Sequence, residues 1–264
     1  FELAYRTDPT VFYTLGRVTT AVLGTVGIWA VFVGAKSLFS VETALLAAGF
    51  LAASFLHVRD SHYAVPDVAM STFVILAVAL VVLALQTKRR RLIYVSAIIG
   101  GFAIATKWTA LPVVVPVYWA GVVSEDPGAT PIRKWLFSRE VLLVSLFLFL
   151  GFGLGSPQIL MNPEPYIGEA IGQYGADRAG GFDIWLVDTV RGWTFYVETL
   201  LYGVGVVMLG LAMVGVVSKL ASPSRNSVLV LVLFPAIYYA LMGTTRHYFA
   251  RYALPLVPFI TIFA

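Results

Sequence analysis

An all-α bundle of transmembrane helices is the fold class that the sequence predicts, and three observations predict it. Hydrophobic residues fill 59% of the 264 positions and charged residues only 12%. The mean hydropathy is +0.86, whereas a water-soluble domain carries about a quarter of its residues as charges. The apolar residues also come in runs close to the about 20 that a helix needs to cross hydrocarbon. Together these describe one polytopic membrane domain over 1–264, with no room for a soluble one.

Nine membrane segments are expected, near 10–38, 41–57, 66–87, 92–106, 109–123, 140–156, 192–219, 226–243 and 250–264. Two are short, 92–106 and 109–123, and Lys107 with Trp108 lies at their junction. One long helix through a buried lysine is the competing reading. A lysine near mid-membrane costs about 2.5 to 3.5 kcal/mol on insertion scales, which favours a hairpin of short helices. The non-apolar stretch 157–191 is the one long loop, and loops of that length are often functional. Its positions from Tyr166 to Tyr174 suit a short amphipathic helix at the membrane interface, bounded by Gly175 and the Gly180–Gly181 pair. There is no internal repeat and no low-complexity tract.

Orientation follows from the basic clusters. Lys88, Arg89, Arg90 and Arg91 mark the cytoplasmic side by the positive-inside rule. By parity Lys36, then Arg133, Lys134 and Arg139, then Lys219 and Arg225 fall on that side too. A second polar set is left for the extracytoplasmic side: Arg59, Asp60, His62, Asp67, Lys107, Asp177, Arg178, Arg246, His247 and Arg251. The net charge of +4 is therefore a topology signal, split into short clusters, and no nucleic-acid partner is expected. The absence of cysteine excludes disulfide and thiol chemistry. The chain opens at Phe1 without the order of a signal peptide, and its last residues stop inside an apolar run. Both ends lead us to expect a piece of a longer protein.

Three clusters on the outer side bear chemistry. In the first, His57 to Asp67, Pro66 suits the first turn of a helix and Asp67 beside it is favoured by the helix dipole. That placement fits a carboxylate anchoring a cation or a substrate hydroxyl better than one acting as a general base. His57 and His62 have no matching third ligand, so no metal is expected. The second is Lys107, either snorkelling to the interface or meeting an anion, with Trp108 at headgroup level. The third is Arg246, His247 and Arg251. Positive charge on the outer side runs against the topology rule, and guanidinium groups are suited to bidentate phosphate recognition. Cations and a carboxylate above a helical bundle outline a pocket for a lipid phosphate, where they stabilise the anion released when a sugar leaves it.

Five stretches carry a family resemblance: Leu15-Gly-Arg-Val-Thr-Thr-Ala-Val-Leu-Gly-Thr, Asp60-Ser-His-Tyr-Ala-Val-Pro-Asp-Val, Ala105-Thr-Lys-Trp-Thr-Ala-Leu-Pro, Gly155-Ser-Pro-Gln and Arg251-Tyr-Ala-Leu-Pro-Leu-Val-Pro. In these, in their order and over most of its length, the chain resembles the membrane glycosyltransferases of the C-type fold. Its nearest likeness is to the dolichyl-phosphate-mannose protein mannosyltransferases and bacterial lipid A aminoarabinose transferases. The resemblance implies a hexosyl- or pentosyltransferase, multi-pass in the membrane and in the plasma membrane of a prokaryote. It would move a sugar with inversion, on the extracytoplasmic face, from a polyprenyl-phosphate donor to a hydroxyl of a protein, lipid or glycan. No further cofactor is implied. Asp67 takes a supporting catalytic place, Lys107, Arg246 and Arg251 are expected at the donor phosphate, and Arg59, His62, Tyr63 and His247 are candidates for the substrate site. The family's principal catalytic acid lies in the first extracytoplasmic loop, after a first span, both expected upstream of Phe1. The isolated chain is accordingly expected to be inactive. A transporter or lipid flippase is the alternative; it would place charges near the midplane and show repeated halves with matching broken helices, and the sequence displays neither.

Overall fold

A computed structural model describes residues 6–124, 138–179, 192–222, 224–245 and 248–264. Among the described residues there is helix and no strand. The order is α1 (Thr10–Lys36), α2 (Val41–Ala53), α3 (Phe55–Ser61), α4 (Pro66–Thr87) and α5 (Arg91–Thr106), then a 3-10 helix (Trp108–Val113) leading into α6 (Val114–Ser124). There follow α7 (Arg139–Gly155), α8 (Gln158–Met161), α9 (Pro163–Ala179), α10 (Gly192–Val204), α11 (Val206–Leu220) and α12 (Arg225–Met242). A second 3-10 helix (Ala250–Leu256) and α13 (Val257–Phe263) end the order.

α4 is the centre of the bundle. Its sequence is apolar on every side, so it is stable only where other helices surround it. Val74, Ile75, Ala77, Val78, Val81 and Val82 are all fully buried. In lipid there is no hydrophobic drive for one helix to leave water against another, and close packing of small residues takes its place. α1 meets that need with glycines seven residues apart: a Cβ on Gly27 would stand 3.0 Å from Thr72 Oγ1, and one on Gly34 would stand 3.3 Å from Ala79 Cβ. Thr72 also donates its hydroxyl to the Leu23 carbonyl at 2.9 Å. On the other side of α4, Ser96 of α5 donates to the Ala77 carbonyl at 2.8 Å. α5 and α7 come backbone to backbone, since a Cβ on Gly101 would overlap the main chain of Leu148 and Phe152, and one on Gly151 would overlap Ile98.

The chain folds back at Lys107, because Val113 and Val117 return to the side of α5 where Gly100 lies, within 3.5 and 4.0 Å of a Cβ there. The expected hairpin is thus present, with a 3-10 turn opening its second arm.

Two of the expected segments are broken. The run 41–57 divides at Ser54 with a bend of 58°, and 192–219 divides at Gly205 with a bend of 105°. Ser54 is extended at φ −64 and ψ 123, while Gly205 has φ +87, a conformation that glycine adopts without a Cβ clash. The breaks face each other: Ser54 Oγ points to the Gly203 carbonyl at 3.4 Å, and Leu56 lies against Gly203, 3.4 Å from where a Cβ would stand. The Ser54 hydroxyl covers a carbonyl next to the second break, and both breaks lie inside apolar runs, so an apolar-run reading sees neither. As single helices, α1, α4 and α12 are long and apolar enough to cross a membrane, and the two bent pairs reach that length when each is taken together.

The basic turns gather at one end of the bundle, away from Lys107. There Lys219 Nζ donates to the Leu38 carbonyl at 3.4 Å, Gln86 Nε2 donates to Ser227 Oγ at 3.0 Å, and Arg90 pairs with Glu140 at 3.3 Å. Arg133 and Lys134 lie outside the described residues.

In the stretch expected as loop, α9 is longer than the short helix foreseen: it begins at Pro163, runs through Gly175 and ends at Ala179. Proline suits a first helical position, and each glycine within a helix costs only about 1 kcal/mol. Tyr166 ties it to the bundle by accepting from Ser156 Oγ at 2.8 Å. Ile167 and Ile171, one turn apart, are exposed, which gives α9 an apolar stripe. Gly180 and Gly181 lie outside the described residues.

The glycine contacts carry a prediction. Gly101→Leu forces α5 and α7 apart and should destabilise the fold by about 1 to 3 kcal/mol or more. Gly49→Ala, where a Cβ would meet nothing within 4 Å, should be neutral. Size-exclusion profiles and melting temperatures of the two variants in detergent check this.

Candidate functional site

Three segments far apart in the chain bring charged side chains to one point. Pro66 starts α4 after Val65, which is extended at φ −114 and ψ 142, and so sets Asp67 in the first turn. Asp67 is the deepest charged group of the site, 1% exposed. Lys107 is the extended residue, φ −160 and ψ 128, between α5 and the first 3-10 helix. Its ammonium donates to Asp67 Oδ1 at 2.6 Å. From the second 3-10 helix Arg251 presents Nε to Asp67 Oδ2 at 3.5 Å.

The two contacts differ in kind. The lysine bond is short and charge-assisted, the strong class of hydrogen bond. The Arg251 contact is an ion pair without hydrogen-bond geometry, since Nε is sealed from solvent and makes no hydrogen bond. The rest of that side chain is 39% exposed, against 15% for Lys107. Two cations thus meet on one carboxylate, and the Arg251 side chain is the more exposed of the two. Aromatic faces complete the setting. Lys107 Nζ sits 3.9 Å from the centroid of the Tyr252 ring, and the Arg251 guanidinium lies 4.6 Å from that of Phe249. Cation–π contacts of this kind contribute about 0.5 to 2 kcal/mol as water is excluded.

The other residues named from sequence have different surroundings. Arg59 is engaged by its neighbour: its Nε and Nη2 meet the two oxygens of buried Asp60 at 2.8 and 3.1 Å. α3, which holds both, packs against the second 3-10 helix and α4. His62 has Nδ1 2.6 Å from the Val58 carbonyl. With Tyr63, Ser61 and Arg17 it lines a groove of about 510 Å³. His57 is buried below it, beside Gly24 and Gly27 of α1. Arg246 and His247 lie outside the described residues.

Sequence reasoning missed three features. Tyr252, beneath Lys107, stands next to Arg251 in a stretch that had been singled out, and its aromatic type was the available signal. Arg17, an arginine within an apolar run, was a second. The third is an apolar groove of about 560 Å³ between α11, α12 and α13, lined by Leu209, Val216, Leu231, Pro235, Leu256 and Phe259 among others. Leu256 of this groove belongs to the same 3-10 helix as Arg251. Apolar residues in a membrane helix give no sign of which line a groove.

A family model described as Dolichyl-phosphate-mannose-protein mannosyltransferase matches residues 14–153, more than half of the chain, including Asp67 and Lys107. No curated protein matches. Two solved structures of ArnT from Cupriavidus metallidurans superpose on 94% of the chain. The one bound to undecaprenyl phosphate has a TM-score of 0.68 at 15% identity, and the one in the apo state 0.65 at 17%. The chain covers 44% of each of those chains, less than half their length. This likeness is one of fold.

Removing the buried carboxylate takes from Lys107 and Arg251 the partner that they share. Asp67→Ala is expected to destabilise the fold by about 3 to 5 kcal/mol, the usual effect of taking one partner from a buried pair. Adding Lys107→Met to it should restore part of that loss. Unfolding of the single and double variants in mixed micelles measures both.

Proposed function

Because the chain belongs to the dolichyl-phosphate-mannose-protein mannosyltransferase family, we propose that it supplies the donor-phosphate site of a membrane glycosyltransferase that uses a polyprenyl-phosphate sugar. The acceptor is a hydroxyl of a protein, lipid or glycan, and transfer takes place on the extracytoplasmic face with inversion. The observation that carries this reading is the meeting of Lys107 and Arg251 on one buried carboxylate, with the Arg251 side chain partly exposed. A phosphate monoanion or diester approaching that point finds positive charge already held in place.

In the reaction the acceptor oxygen attacks the anomeric carbon from the side opposite the phosphate. The bond from that carbon to the phosphate oxygen breaks, and polyprenyl phosphate leaves with the electron pair. Lys107 and Arg251 face the charge that develops there, and such preorganised charge is effective because it need not reorient during the step. Asp67 acts through them, holding both cations at the same depth. The acceptor's proton passes to a carboxylate that we place upstream of Phe1, the principal base of the reaction. The apolar groove beside Leu256 suits the prenyl units nearest the phosphate. Arg246 and His247 are assigned to the same outer face, Arg246 to the phosphate, and Arg59, His62, Tyr63 and His247 to the substrate side. The family match favours transfer over a transporter or flippase.

Binding of undecaprenyl phosphate to the full-length protein in nanodiscs tests the reading. Lys107→Ala and Arg251→Ala should each weaken it by about tenfold or more, in line with about 1.5 to 3 kcal/mol for a hydrogen bond to a charged group. Binding indifferent to both changes would remove the phosphate site from this position.

A further inference from the structure

Arg251 and Tyr252 both belong to the second 3-10 helix, so whatever holds that short element sets the two groups that meet Lys107 and Asp67. A 3-10 helix joins each carbonyl to the amide three residues on. For Tyr252 that residue is Pro255, which has no N–H to give. The Tyr252 carbonyl is instead met from outside, by the hydroxyl of Tyr238 at 2.9 Å.

Tyr238 is well placed to hold that carbonyl. It stands on α12, 1% exposed. Its ring stacks on Phe234 with centroids 5.4 Å apart, and Phe234 stacks in turn on Phe259 at 5.4 Å. The phenol is therefore fixed at its base by α12 and α13, and its one polar atom reaches the main chain under the site. The ring of the same Tyr252 carries the Lys107 ammonium.

We infer that Tyr238 is a positioning residue for donor-phosphate binding: its hydroxyl replaces the hydrogen bond Pro255 cannot make and so holds Arg251 and Tyr252 in register with Lys107 and Asp67. It does not touch the phosphate. This rests on the phosphate-site reading above. Without the hydroxyl the 3-10 helix loses this tie to α12, and the spacing of the two cations loosens.

The test measures undecaprenyl phosphate binding and melting temperature for the full-length protein in nanodiscs, comparing wild type, Tyr238→Phe, Ser96→Ala and Lys107→Ala. Ser96→Ala removes a hydrogen bond of the same kind, hydroxyl to buried carbonyl, at the α4–α5 contact away from the site. Tyr238→Phe is expected to raise the dissociation constant about three- to tenfold, the scale of one hydrogen bond. Ser96→Ala should lower the melting temperature comparably and leave the dissociation constant unchanged. Wild-type affinity in Tyr238→Phe, or equal weakening in Tyr238→Phe and Ser96→Ala, overturns the positioning role while the phosphate site stands. Wild-type affinity in Lys107→Ala overturns the phosphate site and the positioning role with it.

Discussion

The carboxylate of Asp67 is the interaction on which the site depends. A lysine at membrane depth costs about 2.5 to 3.5 kcal/mol on insertion scales, and an unpaired buried carboxylate is costly too. Joined at 2.6 Å, each becomes the reason the other is tolerated. The bond fastens the turn after α5 to the start of α4. Through Arg251 it also reaches the last 3-10 helix, so segments that are remote in sequence share a single electrostatic centre. Two cations meet one anion there, and the Arg251 side chain is the more exposed of the two.

The bundle supplies the frame for this centre by means suited to lipid. Gly27 and Gly34 let α1 lie against α4, and Gly101 and Gly151 let α5 and α7 touch through their main chains. Close approach of this sort leaves little freedom to slide, since every small shift meets backbone. The paired breaks at Ser54 and Gly205 do the opposite work, turning α3 toward the site and opening the space beside α11 in which the apolar groove lies. Rigid contacts and broken helices thus divide the labour: the first hold Asp67 and Lys107 at a fixed depth, and the second make room next to them.

Much of this was legible in the sequence, for identifiable reasons. Apolar run length located α1, α4, α5, α7 and α12, and the cost of a mid-membrane lysine foretold the turn at Lys107. Pro66 beside Asp67 marked the start of α4, and placement of a carboxylate at a helix N-terminus pointed to its role as a cation anchor. Two things were not legible. Bends at Ser54 and Gly205 leave the hydrophobic pattern intact, so run length counts through them. The convergence of Asp67, Lys107 and Arg251 is tertiary: each residue could be named as polar and outward-facing, but their meeting depends on how α4, α5 and the second 3-10 helix pack. Tyr238 illustrates the limit, because an apolar helix with one phenol gives no sign that the hydroxyl meets a carbonyl left open by a proline on another element.

The most direct measurement of the central claim is a cryo-electron microscopy structure of the full-length protein in a nanodisc with undecaprenyl phosphate bound. The account predicts phosphate density within hydrogen-bonding reach of Lys107 and Arg251, with Asp67 still in contact with Lys107. Phosphate density at another place, or Lys107 and Arg251 turned away from Asp67 in the bound protein, would contradict it.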